Sequence, residues 1–136
     1  MKQLIIVIII SLALLACNNT ANLIKQTLPG KWLITSLNGQ SVITNKITTL
    51  TFDENLSLSG LASCNNISSS YKVDNKSLSI GPIVATRKMC SPVLMQQESK
   101  LLKVLSKSKR FEIDNSQLSL FDQQGKRQLK AKRVKT

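Results

Sequence analysis

A succession of turn signals at hairpin spacing constrains this chain more than any other feature. Asn38-Gly39, Asp53-Glu54-Asn55, Asp74-Asn75, Gly81-Pro82, Asn115 and Gln123 to Gly125 punctuate it from end to end. Asn-Gly and similar pairs reach the positive-φ backbone of tight turns at little cost. Between them lie short runs of period two: Trp32 to Leu37, Val42-Ile43, Ile47 to Phe52 with Leu50 and Phe52 on one face, and Leu56, Leu58 and Gly60. Tyr71/Val73, Leu78/Ile80, Phe111/Ile113, Leu118/Leu120 and a final run Leu129 to Val134 continue the pattern. Strands this short and this evenly spaced predict an antiparallel meander or barrel.

One segment breaks the period. Ser91-Pro92 offers an N-cap followed by Pro at the first helical position. Leu94, Leu101 and Leu105, with Val104 alongside, then recur at helical spacing, while Lys100, Lys103 and Lys107 take the other side. The reading is one α-helix at about 92–107, covering an open end or face of the sheet. The fold class is therefore mainly β (α+β), a small antiparallel β-barrel-like domain with one helix. Its core must be built largely from Leu, Ile and Val, because aromatic residues make up only 4% of 136 residues.

The N-terminus reads as an export signal. Met1-Lys2 gives a positive start, and Leu4 to Ala16 is an apolar stretch of about 13 residues, where a spanning helix needs about 20. Leu14-Leu15-Ala16-Cys17 resembles the lipobox of bacterial lipoproteins, in which the Cys thiol receives a diacylglyceryl group and becomes the new N-terminus. A single acyl chain anchors marginally, whereas two or three hold. An ordinary secretory signal with a chance Cys is the plain alternative. The division expected is 1–16 signal peptide, 17–29 lipid-anchored tether and 30–136 folded domain. Asn18 stands where Asp would signal inner-membrane retention, so that resemblance implies the outer membrane, facing the periplasm. A Gram-positive source would place it on the outer face of the plasma membrane.

Nineteen basic residues face seven acidic ones, a net of +12; Lys2 belongs to the signal, so +12 − 1 leaves +11. Such an excess fits nucleic acid or an anionic surface. Export argues against nucleic acid and points to anionic lipid headgroups or lipopolysaccharide; a basic protein with no charged partner is the bland alternative. There is no His. That removes His-based triads, the usual zinc clusters and a base tuned near neutrality, and no cofactor is implied. With Cys17 assigned to lipid, Cys64 and Cys90 remain as an even pair in an oxidising compartment. A disulfide between them is expected, with two buried thiols as the competing reading.

The middle of the chain resembles the META domain family, most closely its HslJ-like heat-shock group. Leu58-Ser59-Gly60, Ser63-Cys64-Asn65 and Thr86-Arg87-Lys88-Met89-Cys90 carry the likeness. A Pro and a Leu-rich helix containing Glu98 follow, Trp32 with Asn38-Gly39 matches the opening hairpin, and Gln117 to Phe121 and Gln128 onward match the closing one. Ser63 departs from the Gly that many members have before the Cys-Asn pair. The resemblance, over about residues 30–133, implies a compact β domain with one helix, often exported and lipid-anchored. It also implies an association with heat shock and, in one branch, novobiocin tolerance, without an established enzymatic activity.

Several residues then stand as candidates. Asn65 and Asn66 line a pocket or partner surface, or else organise their own turn. Thr86-Arg87 falls in a strand the family shares; Arg87 holds an anion or, more commonly for such a pair, bonds Glu98 on the helix. Glu98 alone lacks the second acid or nucleophile that catalysis requires. Lys126, Arg127, Lys130, Lys132, Arg133 and Lys135 form a basic run. It suits an anionic membrane at about 1 kcal/mol per residue, or guards an edge strand against aggregation. The expectation is a non-catalytic envelope stress lipoprotein that binds an envelope protein or anionic surface, its oligomeric state open. A barrel that binds an amphiphile or antibiotic in an apolar cavity is the alternative.

Overall fold

Among the described residues the alternation of apolar and polar residues folds into ten strands and one helix. A computed structural model describes residues 27–43 and 47–135; the export segment, Cys17 and the tether up to residue 26 lie outside the described residues. In chain order the elements are β1 (Gly30–Leu37), β2 (Gln40–Ser41), β3 (Thr49–Phe52), β4 (Ser57–Leu61), β5 (Asn66–Asp74), β6 (Ser77–Ile80) and β7 (Val84–Ala85). The helix α1 (Pro92–Lys107) follows, then β8 (Arg110–Asp114), β9 (Gln117–Phe121) and β10 (Arg127–Arg133). The lateral order is β10-β9-β8-β6-β5-β4-β3-β1-β2, with β7 on β5.

Every ladder is antiparallel, and β10 also pairs with β1, Trp32 opposite Arg133 and Leu37 opposite Leu129. The sheet is thus a closed ring. It is not a regular barrel, because β6 and β8 meet at one residue pair, Ser77 with Arg110. Two flanking amides extend that joint, Leu78 N to Lys109 O at 2.9 Å and Phe111 N to Lys76 O at 3.0 Å. Inside the ring lie Trp32, Ile34, Leu50, Phe52, Leu58, Leu78, Leu118, Leu120 and Leu129, and α1 adds Leu101, Val104 and Leu105. Each such side chain stabilises the fold by about 1.5–3 kcal/mol. Phe52 and Tyr71 meet edge to face at 5.1 Å, and the Tyr71 hydroxyl donates to Asp53 O at 2.7 Å. Gly60 is required by closeness: a Cβ there would stand 2.1 Å from Thr49 O across the β3–β4 ladder.

Several local expectations change. β2 stops at Ser41; Val42 N still donates to Thr35 O of β1 at 3.2 Å, but the Ile43 amide turns away to Gln97 Oε1 at 2.7 Å. Leu56 sits in the turn with φ +62 and is exposed, so β4 begins one residue later. Val73 is largely exposed although its face-mate Tyr71 is buried. Ser91 makes no side-chain cap; its carbonyl accepts from Leu94 N and Met95 N. Thr86 and Arg87 lie beyond β7, outside any strand. The final strand is shifted to 127–133 and, paired on both sides, is no edge.

Arg133 leaves the basic run for a structural post. Its guanidinium lies 4.1 Å from the Trp32 ring centroid, donates to Pro29 O at 2.8 Å and also to Thr27 O. Burial lowers its pKa. Leu28, which the sequence places in the tether, is 3% exposed and joins the core, with Trp32 Nε1 donating to its carbonyl at 2.9 Å. Arg133 therefore pins the chain where it enters β1. Arg133→Ala should lower unfolding free energy in urea by about 1–2 kcal/mol through the lost charged hydrogen bonds and ring contact. Arg133→Lys should restore little of this, lacking the planar fork.

The β9–β10 turn gives a pH prediction. Desolvation by itself would raise the Asp122 pKa, but bonds from Lys126 N, the Gln128 amide and Gln124 N outweigh it and lower it. A depressed carboxylate contributes stability above its unfolded pKa and loses it as pH falls through the folded value. Asp122→Asn should therefore show a smaller loss of Tm than the parent on acidification below about pH 4.

Candidate functional site

At the end of β4 the chain turns sharply through Ala62 to Asn65 before starting β5. Ser63 takes φ +78, a left-handed conformation that glycine adopts freely and serine rarely. The turn closes with Ala62 N donating to Asn65 O at 2.8 Å. The amides of Cys64 and Asn65 reach Glu98 on α1. Glu98 Oε2 accepts from Asn65 N at 2.7 Å and Cys64 N at 3.3 Å, and Oε1 accepts from Asn65 Nδ2 at 2.9 Å. A carboxylate accepts only, which is what three converging donors need.

Asn65 passes the connection on. Its Oδ1 accepts from Lys88 N at 2.7 Å and from the Thr86 hydroxyl at 2.9 Å. Thr86 Oγ1 in turn accepts from Asn66 N at 3.1 Å. Cys64 and Cys90 are joined by a disulfide, their Cα atoms 6.0 Å apart, and closing a loop of 26 residues stabilises by about 3.5 kcal/mol in the chain-entropy model. A second, neighbouring cluster was not legible beforehand: Gln97 Nε2 donates to Ser63 Oγ at 2.8 Å, and Ser63 Oγ lies 2.9 Å from Thr48 Oγ1. The only advance signal was two polar residues, Gln97 and Glu98, on the helix flank nearest the Leu face.

The candidates from the sequence thus meet different fates. Asn65, Thr86 and Glu98 come together with the disulfide, and the Asn65 side chain bonds Glu98, Thr86 and Lys88 rather than the backbone of its own turn. Arg87 does not pair with Glu98; it is exposed, and the ion pair found among the described residues is Arg110–Glu112. Backbone and amide donors satisfy Glu98 where a cation was expected. Asn66 is exposed at the start of β5. Of the basic run, Lys126, Arg127, Lys132 and Lys135 are exposed, Lys130 is half-buried and Arg133 is committed to Trp32. Among the described residues no cluster of three metal-ligating side chains occurs, and no helix is long and apolar enough to cross a membrane. Chemically, the network's polar atoms are spent on one another, so its evident work is to fix the Thr86–Cys90 loop. The ring's interior is occupied by side chains, and open depressions such as that between β2 and α1, lined by Val42, Val93 and Gln97, lie on the outside.

A family model described as META domain matches residues 25–135. No curated protein matches the chain. A solved NMR structure is 25% identical with a TM-score of 0.62, covering 76% of this chain and 88% of its own. A second, from Burkholderia xenovorans, is 22% identical with a TM-score of 0.65 over 88% and 90%. A crystal structure of a DUF4847 family protein from Bacteroides vulgatus is 14% identical, TM-score 0.60 over 79% and 94%. These likenesses concern the fold.

The network predicts an order of damage. Glu98→Ala strands three buried donors and should cost about 3–5 kcal/mol by urea unfolding. Glu98→Gln should cost about 1–3 kcal/mol, because its new NH2 opposes either Asn65 Nδ2 or the backbone amides. Equal stability of Glu98→Gln and the parent would show that the carboxylate is dispensable.

Proposed function

Since the chain belongs to the META domain family, which is not a known enzymatic family, we propose that it is an exported, non-catalytic lipoprotein of the cell envelope. Acylation at Cys17 holds it to a membrane, the outer membrane in a Gram-negative source, where it serves an envelope or heat-shock stress response. Its ligand is an anionic surface, phospholipid headgroups or lipopolysaccharide, met by the outer face of the closing strand. The association of the family with stress and with novobiocin tolerance supports the physiological setting.

The observation that carries this reading is the distribution of charge around β10. Leu129 and Ala131 point into the core, which sends Lys130 and Lys132 outward, with Lys126, Arg127 and Lys135 exposed at the strand's ends. Exposed Lys31 lies on neighbouring β1. Among the described residues none of these cations forms an ion pair, so their charge is available to a partner. Because β10 is central to a closed ring, aggregation at a free edge does not explain them. The filled interior leaves the surface as the place for binding, and no observation favours an amphiphile in the core.

Two measurements test the proposal. Mass spectrometry of the natural protein should find an acylated N-terminal Cys17; an unmodified chain beginning at Met1 would refute the anchor. Binding of the soluble domain to vesicles containing phosphatidylglycerol should weaken about a hundredfold in Lys130→Glu/Lys132→Glu/Lys135→Glu, at about 1 kcal/mol per lysine lost, and fall steeply with salt. Salt-independent binding that survives the triple reversal would remove the electrostatic reading.

A further inference from the structure

The buried network holds in place a loop that is itself exposed. Thr86, Arg87, Lys88 and Met89 all face solvent, Met89 at 91%. Val84 before the loop and Val93 after it are 68% and 57% exposed. Yet the loop's backbone is fixed at three points: Thr86 N to Asn66 O at 3.0 Å, Lys88 N to Asn65 Oδ1 at 2.7 Å, and the disulfide at Cys90. A loop needed only as a connection gains nothing from a fixed, apolar and cationic tip. Rigidity of this kind lowers the ordering cost of binding.

Position decides what the loop can meet. Gly30, where the tether enters, lies opposite Phe52, and Phe52 opposite Leu58. Leu33 lies opposite Thr49, and Thr49 opposite Leu61, beyond which come Ser63 to Asn65. From Leu58 to Leu61, where the turn to Asn65 begins, is three residues of extended chain, about 10 Å. On β5, Ile67 pairs with Ala85, so Thr86 to Cys90 continue past that same far end. The loop and the tether therefore leave the ring at opposite ends.

We propose that the Thr86–Cys90 loop, with Val84 and Val93, is a preorganised docking site for an acidic protein segment that carries an apolar side chain. Arg87 and Lys88 pair with no carboxylate among the described residues. The nearby Glu98 is buried and its oxygens are occupied by Asn65 and Cys64. The complement to this tip is negative charge around an apolar group, and Met89 is a side chain suited to adaptable contact. The choice of a protein over a bilayer rests on the anchoring reading above, which places the membrane beyond Thr27 and leaves the far end facing the surrounding compartment.

Fluorescence anisotropy of a labelled twelve-residue peptide, six Glu around a central Leu-Phe pair, tests this with the intact folded domain. The parent should bind it, and should bind neither the version with Ser-Ser at the centre nor the one with Lys for Glu. Arg87→Glu/Lys88→Glu should weaken binding at least about tenfold and flatten its salt dependence. Met89→Ser should weaken it about threefold and leave the salt slope unchanged. Lys72→Glu/Lys76→Glu, on the β5–β6 hairpin, should change it less than about twofold. All these positions are exposed, and unchanged melting temperatures verify folding. Absence of peptide binding, or equal losses from both charge reversals, overturns the proposal. Loss of phosphatidylglycerol vesicle binding in the loop variants, with peptide binding intact, assigns the loop to a membrane and also overturns it. Failure of the anchoring reading shows separately, as natural protein unmodified at Cys17 by mass spectrometry whose folded domain still binds the peptide.

Discussion

Glu98 is a carboxylate taken out of water that pairs with no cation among the described residues, and the arrangement of the far end of the ring follows from how that is made tolerable. An unpartnered buried charge costs several kcal/mol. Three N–H donors converge on it, two of them backbone amides exposed by the left-handed turn at Ser63. The dependence runs both ways, since the turn's amides face the protein interior and would be orphans without an acceptor. The helix is thereby held at one height against the β4–β5 turn, and Gln97, one residue earlier, accepts from the Ile43 amide and donates to the Ser63 hydroxyl oxygen. The disulfide closes the same corner covalently.

This division of labour explains why a polar, sequence-distinct motif produces no evident reaction centre. Asn65, Thr86 and Glu98 are the residue types that catalysis uses, but each has its capacity consumed by a neighbour. The ring is likewise not a container. Trp32, Phe52 and the inward leucines fill it, as small closed sheets generally are. What remains for interaction is the outside, where the cations outnumber the acids, and the rigid loop tip.

Most strands, their turns and the helix limits were readable because each depends on local chemistry, whereas the two-residue β7 carried no such signal. Asn38-Gly39 turns with φ +50 and +80 as such a pair should, and the Pro92 start of the helix is where Ser91-Pro92 put it. The disulfide was readable from parity once Cys17 is set aside for lipid, together with the export expected of the chain. Partnerships across the fold were not. Arg87 and Glu98 have opposite charge, yet which donor reaches Glu98 depends on the left-handed backbone at Ser63, and a serine there gives no warning of it. Arg133 looked like one cation in a run of six; only the register that sets it opposite Trp32 reveals its different task. The same register removes β10 from the edge, a fact about closure that no local pattern encodes.

That closure has a consequence for how the domain comes into being. β1 must wait for β10, the last strand of the sheet to be synthesised, before its second ladder can form. Some hundred residues separate Trp32 from Arg133, and contacts so distant in sequence slow the search for the native state. Nascent chain emerging from the N-terminus therefore carries an open β1 with Trp32 uncovered, and stays threadable until the final strand arrives. The export proposed above would gain from such delay, because the knot of packing that makes the domain durable afterwards is tied last.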